Sequence, residues 1–151
     1  MERARKPSFN AIMLLAVAAL LLGVPTAMAA GTSDLEFSGD GSFHGAHGGQ
    51  PIHVAVVRTD DGTVVAKQSG TVSKTADPSF SFTFPGVLED GKAYEVDYWI
   101  DSNFGGGTVG VCDPKAHDHQ WKVPLGTVSG SVSFRDKHRP AETSDVCAAF
   151  K

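Results

Sequence analysis

Apolar and polar positions alternate with a period of two along much of this chain. In residues 79–84, Phe80, Phe82 and Phe84 share one face, while Ser79, Ser81 and Thr83 share the other. In 94–101, Tyr94, Val96, Tyr98 and Ile100 alternate with Glu95, Asp97, Trp99 and Asp101. In 128–135, Val128, Val132 and Phe134 alternate with Ser129, Ser131, Ser133 and Arg135. Such a period predicts strands with one dry and one wet face. Residues 35–38, 52–58 and 63–68 are further strand candidates, and 121–123 is a short one. Thr59-Asp60-Asp61-Gly62 reads as a tight hairpin turn. Pro85-Gly86 and Asp90-Gly91 punctuate the stretch between two strands. No segment after position 30 has a helical period, although 142–149 suits a short terminal turn or helix. Six to eight short strands predict an all-β fold, a two-sheet antiparallel sandwich of immunoglobulin-like or transthyretin-like type.

The first thirty residues follow a different rule. Arg3, Arg5 and Lys6 precede an uncharged apolar run over 11–24, then Pro25 and the small-residue site Ala27-Met28-Ala29. This three-part pattern predicts a helical secretory signal peptide over 1–29. The run of 14 residues is short of the roughly 20 that a spanning helix needs. Residues 30–151 then form one domain, exported to the periplasm or the medium, with no membrane insertion after cleavage. Export changes how the charge reads. The whole chain carries −4, but without Arg3, Arg5, Lys6 and Glu2 it carries −6. An acidic domain gives no reason to expect nucleic acid as a partner and suits the attraction of cations. The two cysteines, Cys112 and Cys147, are expected to pair in an oxidising compartment and to staple the C-terminal tail to a loop.

Candidate chemistry gathers in two segments, 43–50 and 101–121, which hold four of the six histidines; His53 follows just after the first. Imidazole is the commonest metal ligand, and nearby carboxylates orient or supplement it. His117 and His119 share a face if their segment is extended. His44 and His47 converge only through a turn, which Gly45 permits. Asp101 and Asn103 at a strand exit, with Asp113 returning from the loop and Asp118 beyond it, offer oxygen ligands for a hard ion. The same residues serve equally well to cap a turn. Imidazole-rich ligation favours zinc or copper over calcium. The calcium-loop pattern also lacks its third acidic ligand and its closing glutamate. His53 falls opposite the apolar face, and His138 lies in a basic cluster, 135–139, that reads as a solvated turn. Trp99 and Trp121 are expected to cover a sandwich edge, each half-buried.

Two resemblances sharpen this reading. The stretch 80–113 resembles the strand, glycine turn, Tyr-x-Val strand and Asp-x-Asn order of small exported transthyretin-like or carboxypeptidase-regulatory-like sandwiches. A longer pattern joins His47-Gly48-Gly49-Gln50, the Phe-Pro-Gly of 84–86, Tyr94-Glu95-Val96-Asp97, Asp101-Ser102-Asn103, Asp113 and Asp118-His119-Gln120-Trp121. It is similar to a group of exported bacterial β-domains without established activity. That resemblance implies a sandwich and a shared cluster of His47, Asp101, Asn103, Asp113, Asp118 and His119. Phe43-His44-Gly45-Ala46-His47 also resembles copper/zinc superoxide dismutase. Two residues separate these histidines where that family has one, and the remaining histidine ladder is missing.

No Gly-x-Ser-x-Gly elbow, His-Glu-x-x-His or phosphate loop is present. The reading is therefore a non-enzymatic binding module for a divalent metal or small ligand. A structural or protein-interaction domain without metal is its alternative, and a dismutase-like enzyme is the remote one.

Overall fold

The computed structural model describes residues 31–151, so the expected signal peptide lies outside the described residues. Seven strands follow in order: β1 (Thr32–Gly39), β2 (Pro51–Arg58), β3 (Thr63–Thr71), β4 (Phe80–Glu89), β5 (Ala93–Ile100), β6 (His119–Thr127) and β7 (Val132–Asp136). They form a three-stranded sheet, β4-β1-β7, and a four-stranded sheet, β3-β2-β5-β6. The fold is a β-sandwich, as the alternation predicts. One pair departs from the antiparallel expectation: β1 and β7 run parallel, with Phe37 opposite Phe134.

Phenylalanine alternation builds the inner face of the smaller sheet from Leu35, Phe37, Phe80, Phe82 and Phe84. Ile52, Val54, Val56, Tyr94, Val96, Tyr98 and Trp121 supply the facing layer, and all are buried in one core. Burying side chains of this size stabilises by roughly 1.5–3 kcal/mol each.

Three expectations fail in instructive ways. Pro85-Gly86 does not end a strand, because β4 continues to Glu89. Opposite it, Ser33 pairs with Leu88 and Leu35 with Phe84, so residues 85–87 bulge out of register. Gly86 adopts φ 61° there, and its N–H donates to Asp34 Oδ1 at 2.7 Å. An edge strand tolerates such a proline because its outer N–H is not needed for pairing. The tryptophans are not half-buried: Trp121 is inside the core, and Trp99 is buried on the outer face of the larger sheet. That outer face is not wholly wet either. Ala55 and Val57 pack with Ala149, Val64 and Phe150, so the C-terminal 3-10 turn Cys147–Phe150 covers it. The Cys112–Cys147 disulfide pins the turn to the long loop, as expected. Among the described residues, no helix is long and apolar enough to cross a membrane.

Candidate metal centre

The link from β1 to β2 crosses one end of the sandwich as a 3-10 turn, Gly41–Phe43, and a single helical turn, α1 (His44–His47). Asp40 caps the start by accepting from the Ser42 N–H at 2.9 Å. Phe43 and His47 stand four residues apart, on one side of the turn. Both are fully buried, and Phe43 meets Phe80 and Trp121 edge-on at 5.0 and 6.0 Å between centroids. His119 opens β6 two residues before Trp121, so the strand period puts it on the same inner face. His138 follows β7 by two residues.

These three histidines meet. His47 Nε2 lies 2.9 Å from His119 Nδ1 and 3.1 Å from His138 Nε2. One nitrogen from each lies within 4.8 Å of the other two. A tetrahedral ion with bonds of about 2.0–2.1 Å would space its nitrogens by roughly 3.3 Å. The Trp121 ring stands 5.4 to 6.0 Å from all three imidazoles, and Phe104 lies 4.8 Å from His119.

Hydrogen bonding decides which lone pair points inward. His47 Nδ1 faces Gln50 Oε1 at 2.7 Å. An amide oxygen only accepts, so Nδ1 carries the proton and Nε2 presents a bare lone pair. Two further ring nitrogens crowd that one lone pair, and only one of them can donate to it well. A cation would satisfy all three. Burial also favours the neutral form that metals require. It pushes His47 down to about 4, opposed by Gln50 and aided by His119 and His138. Burial lowers His119, with His138 adding and Asp118 opposing, and burial lowers His138.

The other candidate residues have hydrogen-bond partners of their own. His44 turns Nε2 to the Ala76 carbonyl at 2.5 Å, and His117 Nδ1 faces the Phe104 carbonyl at 2.7 Å. Asp101, Asn103, Asp113 and Asp118 organise the long loop. Buried Asp118 accepts from the N–H groups of Ser102, Asn103 and Asp113 at 3.0, 3.1 and 2.9 Å. Asp101 accepts from Gly110 N–H at 2.7 Å and from the Asn103 amide, and Asp113 accepts from Thr108 N–H. His53 stacks on Trp99, on the outer face as its alternation requires.

His138 is the residue that sequence reasoning missed. It is half-buried within the cluster, not a solvated turn residue. Its signal was the period itself: Val132, Phe134, Asp136 and His138 continue one alternation past the end of β7.

No family model matches the sequence, and no curated protein matches it. The chain is similar in structure to a fimbrial assembly protein from Parabacteroides distasonis, at 12% identity and a TM-score of 0.42. That match covers 70% of this chain and 52% of the other.

Proposed function

We propose that this chain is an exported, non-enzymatic β-sandwich module that binds a divalent transition metal, zinc or copper, through His47, His119 and His138. The observation that carries this reading is the convergence of two ring nitrogens on the bare Nε2 of His47. Three neutral nitrogen donors suit zinc or copper and leave a coordination position for water or a small ligand. The oxygen set around Asp118 favours a second role for the acidic residues, since its backbone donors already engage that carboxylate. Those residues then hold the loop, and the imidazoles hold the ion.

The test is metal analysis of the full chain after export, followed by zinc and copper titration of the protein and of His119→Ala. About one equivalent of metal, lost in the variant, supports the reading. No bound metal and equal affinities would leave a structural or interaction domain.

A further inference from the structure

The outer face of the larger sheet carries a cleft of about 440 Å³, a volume typical of small-molecule sites. Its floor is the cross-strand pair His53 and Trp99, stacked at 4.3 Å with 12° between the rings. Phe150 stands edge-on to Trp99 at 6.1 Å, and the Cys112–Cys147 bridge forms part of the wall. Lys67 lines the cleft and holds its ammonium 5.8 Å over the Phe150 ring. Among the described residues, no aspartate or glutamate side chain lines it. The indole N–H of Trp99 is buried and has no acceptor. This site shares no residue with the imidazole cluster.

We propose that this cleft binds a small planar aromatic carboxylate. Its ring lies against the aromatic wall, where a flat apolar face is removed from water. Its carboxylate pairs with Lys67, a charge-assisted contact that an uncharged analogue cannot make.

The test uses 2-naphthoate as probe, with 2-naphthamide as its uncharged counterpart, in the presence of a chelator. Calorimetry gives the affinity, and the indole N–H resonance of Trp99 reports the contact, assigned through Trp99→Phe. Saturable binding is expected, weaker by about tenfold in Lys67→Met and for the amide. Ser69→Trp, at an exposed rim position whose hydroxyl meets His53 Nδ1 at 2.8 Å, should block binding while the protein still unfolds in one cooperative thermal transition. Absence of saturable binding overturns the proposal. So does equal affinity for acid and amide, or binding unaffected in both Lys67→Met and Ser69→Trp.

Discussion

His47 Nε2 and His138 Nε2 lie 3.1 Å apart although 91 residues separate them in sequence. The parallel pairing of β1 with β7 brings the segment after β7 beside the turn that follows β1. His138→Ala should therefore lower zinc or copper affinity by at least about tenfold, as loss of a ligand. His44→Ala and His117→Ala should leave it within about twofold. Competition with a chromogenic chelator measures all three variants. Equal losses at His44 and His138 would sink the assignment of ligands.

Gln50 orients His47 without joining the cluster. Gln50→Leu removes the acceptor of the Nδ1 proton while keeping a side chain of similar size. The expected loss of metal affinity is about 10- to 100-fold, the usual cost of an outer partner. Unfolding by denaturant should shift far less than the affinity does. A stability loss with unchanged affinity would make Gln50 a packing residue only.

The disulfide closes a loop across 35 residues, and His119 and His138 both lie inside it. Replacing both cysteines by serine should destabilise the fold by about 3–4 kcal/mol on the chain-entropy account. On the proposed function it should also weaken metal binding, because the loop and tail that flank His119 and His138 lose their clasp. Denaturant melts and metal titration of the same variant check both effects. Unchanged metal affinity would show that the site is fixed by the sheets alone.

Much of this was legible from alternation. The phenylalanines of β4 and the aromatic face of β5 specify their strands because a one-residue slip would expose every ring. The loop network was half legible: Asp101, Asn103, Asp113 and Asp118 stood out as a set, but their backbone donors depend on a loop path that no periodicity encodes. The parallel β1–β7 pair is a long-range choice, and it hid His138 among charged neighbours. The outer-face cover was hidden for a similar reason. Cys147–Phe150 is apolar on its own terms, but only the bridge to Cys112 shows where it docks.

Lys122 bonds both oxygens of Asp97 at 3.0 Å and Glu95 at 2.6 Å. The Asp97 side chain is buried, and the ammonium is partly exposed. Burial raises the Asp97 carboxyl above its usual range; Lys122 pulls it down, and Glu95 adds to the rise. Removing the ammonium in Lys122→Met should raise it further. A carboxyl whose folded pKa exceeds its unfolded value costs stability as pH rises through the window between them. The loss in Lys122→Met is therefore full at neutral pH and shrinks as pH falls and Asp97 protonates. A cost of about 2 kcal/mol near neutral pH follows, less than for a fully buried pair because solvent reaches the ammonium. Adding Asp97→Asn should recover part of it, since no buried charge then lacks a partner. Denaturant unfolding at several pH values measures the trend. A loss that is equal at acidic and neutral pH would mean that Lys122 acts through its methylene packing and not through the Asp97 charge.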